Sequence, residues 1–390
     1  LKRPGDLLKE KDGLYTLRIT AELWETIYFD EIKLMAIDHP GEYDIYVDEQ
    51  FTPPPFPALT IFPVINKSLP LSAIDEEGRD VLPLLAERDD RYVSHFLKER
   101  YQGLVKRKEL ILEPAKDLPA GDMLLFLHGW IFPTDASINT ALGQQDEIKV
   151  MPPQLQVINK HNQWETVGKI GFPMGKDKTV ITDLSGKFLT ADHRVRIVTN
   201  MEIYWDQAFF SRKAVTVPMK ETTLPLQSAD LHYRGYSAMY RKGGKYGPHW
   251  FDYERVTTGQ KWRDLSGMYT RYGDVKPLLE KADSKYIIKN AGDETTLHFE
   301  AASLPALPEG WTRDFVIYSV GWVKDGDLNT ADGNTVTPLP FHGIKSYPYS
   351  KDEEYPTTDE YIEYRKTYNT REVTPQEFIH TLSEEKKSFP

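Results

Sequence analysis

This chain states one stretch twice, and that duplication limits its fold more than any other feature. Asp80-Val81-Leu82-Pro83-Leu84-Leu85 returns as Asp274-Val275-Lys276-Pro277-Leu278-Leu279. Behind each comes an acidic, basic and aromatic run, Asp89-Asp90-Arg91-Tyr92-Val93 and then Asp283-Ser284-Lys285-Tyr286-Ile287. Leu118-Pro119-Ala120-Gly121 is matched by Leu307-Pro308-Glu309-Gly310. An apolar strand follows in both places, ending in Gly129-Trp130 and in Gly321-Trp322. Each copy closes on Asn-Thr-Ala, at Asn139-Thr140-Ala141 and Asn329-Thr330-Ala331. Matched features in one order mark an internal duplication.

A second, shorter segment also recurs. Arg196-Ile197 and Ile203-Tyr204-Trp205-Asp206-Gln207 echo Arg18-Ile19 and Ile27-Tyr28-Phe29-Asp30-Glu31. If these are tails and the longer stretches heads, the order is tail, head, tail, head. The chain therefore begins partway through a unit. The expectation is that the first tail completes a module whose head lies upstream. The alternative is a permuted module, in which the first tail pairs with a later head.

The local patterns are those of β structure. Leu14-Tyr15-Thr16-Leu17-Arg18-Ile19-Thr20 alternates apolar and polar side chains, as a half-buried strand does. Met123 to Leu127 reads as a buried strand, and Leu155 to Asn159 with Trp164 to Val167 as a hairpin. Aromatics make up 12% of the chain, which suits pleated surfaces, and 27 Pro with 25 Gly imply short elements and many turns. Val81 to Glu87 reads as a short helix, Pro133 to Gly143 as a loop, and Tyr355 to Tyr368 as an amphipathic helix. Thr374-Pro375-Gln376-Glu377 is the capped start of a last short helix.

The expected fold is mainly β: duplicated β-sandwich modules, galactose-binding-like or jelly-roll in strand pattern, with a short α-helical C-terminus. Residues 1–70 form a β tail and a Pro-rich connector, and 71–220 a β-sandwich module. Residues 221–350 form a second, partial repeat with an aromatic-basic insertion, and 351–390 a helical tail.

Several function classes are disfavoured. A net charge of -11 argues against a nucleic-acid binder, and no apolar run reaches the length of a membrane span. With no cysteine there is no disulfide, no thiolate catalysis and no Cys-ligated zinc. No His-Glu-x-x-His, no Gly-x-Ser-x-Gly and no phosphate-loop spacing occurs.

Certain stretches, taken together, resemble a known family. They are Leu23-Trp24-Glu25-Thr26 to Asp38-His39-Pro40, Gly129-Trp130 to Asn139-Thr140-Ala141, Asn200-Met201-Glu202-Ile203-Tyr204-Trp205-Asp206, Gly247-Pro248-His249-Trp250-Phe251-Asp252-Tyr253, and Tyr368-Asn369-Thr370-Arg371-Glu372-Val373. They are similar to the C-terminal region of bacterial FG-GAP repeat proteins with an ASPIC/UnbV module, the cartilage-acidic-protein-like family. The resemblance implies an upstream β-propeller with calcium-binding loops, export to an extracellular or periplasmic place at the cell surface, and a role in adhesion or assembly. It brings no catalytic residues, and the FG-GAP repeats themselves are missing from this chain.

Two candidate sites stand out. In His232 to Tyr272 aromatic and basic residues interleave, and Tyr236, Tyr240, Arg241, Tyr246, His249, Trp250 and Tyr253 form a candidate surface for a sugar or a protein partner. The plainer reading is a core between modules, with Tyr hydroxyls at its edge. Asp325, Asp327 and Asn329, with Asp332 beyond, alternate oxygen ligands as a calcium loop does. The EF-hand glycine and glutamate are replaced by Thr330 and Val336, and an Asx-stabilised turn explains the same residues. Asp30 and Asp206 match in the two tails, either as ligand-contacting carboxylates or as acceptors of backbone N–H groups.

The function expected is a non-enzymatic exported binding or assembly module, part of a larger FG-GAP-type protein or complex, making protein or glycan contacts. The alternative is a carbohydrate-active hydrolase with paired carboxylates in an aromatic cleft. An enzyme needs two facing carboxyl groups in one pocket, at least one with a perturbed pKa. A binding module needs an exposed aromatic patch without them.

Overall fold

The computed structural model describes residues 8–53, 57–213 and 216–374. The chain opens with β1 (Leu14–Thr20) and the long β2 (Glu25–Pro40), then a hairpin of β3 (Asp44–Val47) and β4 (Ile61–Val64). Next come β5 (Ser72–Asp75), β6 (Leu104–Glu113), β7 (Met123–Ile131) and helix α1 (Ala136–Gly143). A hairpin of β8 (Gln154–Ile158) and β9 (Trp164–Lys169) leads to β10 (Lys178–Asp183), β11 (Val195–Met201) and β12 (Ile203–Arg212). Then follow β13 (Lys220–Leu224), β14 (Leu226–Tyr233), β15 (Tyr236–Arg241) and β16 (His249–Thr257). The short β17 (Gly267–Tyr269), β18 (Gly273–Asp274) and β19 (Ile287–Lys289) precede β20 (Asp293–Glu300) and β21 (Trp311–Asp325). Helix α2 (Asp359–Tyr368) and β22 (Arg371–Val373) come last. The protein is mainly β, with many antiparallel sheets.

The chain divides into two units at places other than those expected from sequence. Unit one is built from Pro40–Pro218 with Met239–Trp250, and unit two from Lys2–His39, Met219–Ala238 and Phe251–Pro390. The first 70 residues are thus shared between the units, and the C-terminal helix belongs to unit two.

Unit one faces a five-stranded sheet, β5-β6-β11-β8-β9, with a three-stranded one, β10-β7-β12. Inward side chains such as Leu110, Leu112, Leu125, Leu127, Val157 and Ile197 fill its core. β7 is buried along its whole length. It lies between β10 and β12, and its other face, Leu124 and Phe126, packs on Val64, Ile181 and Phe209. The Pro-rich stretch is therefore more than a connector: its β4 pairs with β3 and places Val64 in that cluster.

Unit two sets the sheet β1-β20-β14-β18 with the sheet β13-β2-β19, and β21 also pairs with β2. Its core gathers Phe29, Ile32, Leu231, Val275, Leu297 and Phe299. The first tail finds its partners in the second head. Leu17 of β1 lies opposite Leu297 of β20, and Phe29 of β2 opposite Ile287 of β19. The expectation of an upstream head for this tail is corrected: the module is permuted.

The two units repeat the same construction. Ala208 donates its N–H to the Leu85 carbonyl at 3.0 Å, and Ile32 donates to Leu279 at 3.2 Å. A Cβ on Gly129 would come closer than 3.0 Å to the Tyr204 carbonyl, and so would one on Gly321 to the Tyr28 carbonyl. That close approach accounts for the glycine before each tryptophan.

Two expected elements differ. Val81 to Glu87 is a single 3-10 turn, Leu82–Leu84, and Lys276–Leu278 copies it. Proline near the start and Leu-Leu after it favour the turn, and the carbonyls are then taken by the tails. Pro133 to Gly143 is a loop only at its start, because Asp135 accepts the Ile138 N–H at 2.8 Å and caps α1. The matching Asn329-Thr330-Ala331 forms a turn, so the last repeated motif does not fold alike twice. The C-terminal helix covers Asp359–Tyr368 of the expected span. The last expected helix falls largely on 375–390, outside the described residues.

Candidate functional site

In unit one the tip residues of the β15–β16 hairpin meet the head and tail strands around a cavity of about 410 Å³. Its lining includes Lys98, Phe132, Glu202, Tyr204, Arg241, Lys245 and Tyr246. Glu202, the residue between β11 and β12, and Tyr204 of β12 both reach it, and the Tyr204 hydroxyl donates to the Glu202 carboxylate.

The floor is a stack of rings. Tyr204 lies flat on Trp130, with centroids 4.7 Å apart and planes 8° apart, and Tyr246 stacks beyond at 6.2 Å. The Trp130 indole donates to the Tyr246 carbonyl at 3.1 Å, which fixes the hairpin tip on the stack. Tyr246 keeps 41% of its surface exposed. Cations surround the rings. Lys98 Nζ is 5.7 Å from the Tyr204 centroid and 5.9 Å from that of Phe132. The Arg241 guanidinium is 5.8 Å from the Phe132 centroid, and Lys245 Nζ is 5.2 Å from that of Tyr246.

The acids here are engaged. Glu202, 3% exposed, accepts from the Lys98 ammonium and the Tyr204 hydroxyl. Glu99 is paired with the Lys106 ammonium. Burial and then Glu202 push the Tyr204 hydroxyl well above the usual tyrosine range. The tyrosine is thus a neutral donor, and the cavity offers rings and cations.

Behind this surface lies an acidic cluster, also in unit one. Asp206 accepts the Asp89 N–H at 3.3 Å. Lys242 bridges Asp90 at 2.9 Å and Asp177 at 3.0 Å. Asp206 is 2% exposed, and its burial, helped by Asp90, Asp89 and Asp177, pushes it up to about 7 against the Asp89 hydrogen bond. The backbone-acceptor reading holds for both tail carboxylates, since Asp30 accepts from Asp283 and Ser284.

The candidate residues from sequence separate. Arg241 and Tyr246 line the cavity. Tyr240, 50% exposed, and His249, exposed, lie on the same hairpin segment in unit one, and burial with Arg241 and Lys176 nearby holds the His249 imidazole below its usual range. Trp250 carries Lys176 Nζ at 5.1 Å and Lys242 Nζ at 5.0 Å from its ring. Tyr253 belongs to unit two, under the Arg234 guanidinium at 3.9 Å, with its hydroxyl on Glu294 at 2.9 Å. Tyr236 is a correction: it is fully buried in unit two and donates to the Ala291 carbonyl at 3.3 Å, so it offers no binding surface.

The stretch read as a candidate calcium loop folds through backbone-capping carboxylates. Asp325 accepts the Asp327 N–H at 3.2 Å, and Asp327 accepts the Asn329 N–H at 2.8 Å. These are Asx turns, with Asp332 in the left-handed region at φ 53°. Among the described residues no group of three or more His, Asp or Glu side chains is placed to hold a metal ion.

Lys98, Phe132, Glu202 and Tyr204 were not singled out from sequence. The one local signal, and for two of them only, is the Glu202-x-Tyr204 spacing at the entry to β12. Comparisons with family models, with curated proteins and with solved structures find no match.

Proposed function

We propose that this chain is a non-enzymatic, exported binding module whose ligand is a glycan bearing acidic groups, held on the Tyr246 face of unit one. The observation that carries the reading is the exposed Tyr246 ring backed by Tyr204 and Trp130. A sugar face stacks on such a ring, and the cations Arg241 and Lys245 at its rim suit carboxylate or sulfate substituents. Stacking a cation-rimmed aromatic surface on a ligand does not need the overall charge to be positive. The similarity of several stretches to the ASPIC/UnbV region supports the exported setting and a place in a larger assembly. The hydrolase alternative has less behind it, because Glu99 and Glu202 are each neutralised by a lysine.

The test is calorimetric titration of the whole chain with uronate or sulfated oligosaccharides, and with neutral ones of equal length. Saturable binding of the acidic set, lost in Tyr246→Ala and weakened at least about tenfold in Arg241→Ala, supports the reading. Equal binding of neutral sugars, or full binding by Tyr246→Ala, sinks it.

A further inference from the structure

Among the described residues unit two has no counterpart to β10, and a strand edge stays open there. In unit one β10 covers the outer edge of β7, pairing Val180 with Leu127 and Thr182 with Leu125. In unit two β21 runs along β2 as β7 runs along β12, but among the described residues no strand pairs with its other edge. The matching side chains also differ: Ile317 is 54% and Val323 60% exposed, where Leu125 and Ile131, which face the unit-one core, are 0% and 5% exposed.

The charges of β21 stand at its two ends, and its middle carries none. Phe315 to Val323 contains no charge and no proline. Natural edge strands are blunted by lysine, proline, bulges or shortness, because a bare edge recruits another strand. An uncharged edge of this length is kept when something pairs with it.

The sequence also says what fits there. About Ser319 it is self-complementary in an antiparallel pairing: Phe315 falls opposite Val323, Val316 opposite Trp322 and Ile317 opposite Gly321. Beyond the apolar stretch, Arg313 falls opposite Asp325 and Asp314 opposite Lys324. Arg313 is already held by Asp38 at 2.6 Å, and Lys324 by the Thr335 carbonyl at 2.7 Å. Those charges therefore add little attraction, but they set no like pair in opposition. A shift of two residues in sum would put Asp325 against Phe315 or Arg313 against Val323. The pattern thus selects one register.

We propose that β21 is an interface between two copies of this chain, paired antiparallel across a twofold axis through Ser319. The interface is isologous and closes at two copies. Its core is one pair of strands, so the dimer forms at protein concentrations on the order of 10 μM, below the strength of large obligate interfaces.

The chain has no native cysteine, which makes the test direct. Ser319→Cys places two thiols on opposed residues of paired strands, about 4.5–5.5 Å apart at Cα and within disulfide reach. Mild oxidation is expected to give a covalent dimer, while Ser303→Cys, at an exposed site away from β21, stays monomeric. Sedimentation should show a concentration-dependent dimer for the natural chain. It should be lost in Val323→Lys, and weakened in Ile317→Thr, with thermal unfolding unchanged for both. A natural chain that stays monomeric at about 100 μM overturns the proposal, even if a strand of another protein binds β21. So does a dimer that survives Val323→Lys, or a Ser319→Cys chain that cross-links no more than Ser303→Cys.

Discussion

The carboxylate of Asp30 accepts the backbone N–H of Ser284 at 3.1 Å, joining residues 254 positions apart. Asp30 also accepts the N–H of Asp283 at 3.3 Å, and in unit one Asp206 holds the N–H of Asp89, the counterpart of Asp283, at 3.3 Å. Ser284 and its counterpart Asp90 both sit in the left-handed region, at φ 68° and 65°. Each tail strand thus pins the head loop through one buried acid, and the matched aspartates are joints of the fold.

Replacing Asp30 tests that joint. Asp30→Ala leaves the Asp283 and Ser284 amides and the His342 imidazole without their acceptor, at a position with 0% exposure. A loss of about 2–4 kcal/mol is expected, since buried donors are then left unmade. Asn, which keeps an acceptor oxygen, should lose less. Urea unfolding gives the free energy, and hydrogen exchange at residues 283 and 284 reports the joint. A change below about 1 kcal/mol with unaltered exchange would contradict the role.

The paired glycines should not be equally sensitive. A methyl on Gly129 meets the Tyr204 carbonyl, and β7 is held by β10 on one side and β12 on the other. A methyl on Gly321 meets the Tyr28 carbonyl, but among the described residues β21 has a strand on one side only. Gly129→Ala should therefore cost more than about 4 kcal/mol, and Gly321→Ala about 2 kcal/mol, because the edge strand can shift outward. Soluble yield and melting temperature compare the two. Equal losses would mean that β21 is as confined as β7.

Some of this was legible in the sequence for physical reasons. Period-two alternation in Leu14 to Thr20 reports a half-buried strand directly, and β1 is one. The duplicated tails and heads marked the strands that pair, though not which tail takes which head; pairing at that range leaves no local pattern. Helix α1 was hidden because the shared Asn-Thr-Ala made it look like the Asn329 turn, although Asp135 before Ala-Ser-Ile is a cap signal. Arg241 and Tyr246 stood out by aromatic-basic density, but density does not say which rings are covered. Tyr236 has the same composition around it and is buried. Lys98 and Glu202 joined the cavity from 104 positions apart, and such a meeting is a property of topology.

A buried lysine gives a prediction with a pH window. Lys289 is fully buried, donates to the Ile19 carbonyl at 3.0 Å and lies 5.4 Å from the Phe29 centroid. Burial pushes it down to about 8, although Asp293 and Glu294 oppose the shift. An unfolded lysine titrates near 10.4. Between about pH 8 and 10.4 the unfolded chain binds more protons, so the lysine's contribution to stability rises with pH, and its penalty is fullest below that window. Lys289→Met should stabilise unit two at pH 7 by about 1–2 kcal/mol, allowing for the lost bond to Ile19, and the gain should shrink towards pH 10. Urea unfolding at pH 7 and 9.5 distinguishes this from a purely steric effect, which would be the same at both.

Asp206 should give the opposite slope to that lysine. Its carboxyl, buried behind the loop and facing Asp89, Asp90 and Asp177 with Lys242 bridging the last two, is pushed up to about 7. An unfolded aspartate titrates near 3.9. From about pH 4 to 7 the folded chain therefore binds more protons than the unfolded one, and stability falls as pH rises through that range. Asp206→Asn cannot ionise, yet retains an oxygen for the Asp89 N–H. The variant should match the natural chain near pH 4 and exceed it by about 1–2 kcal/mol at pH 8, after allowance for solvent screening. Unfolding free energies at pH 4.5, 6 and 8 would show the two curves separating. Parallel curves would mean that Asp206 titrates like a solvent-exposed acid, and that the cluster around Lys242 leaves it ionised in the folded state.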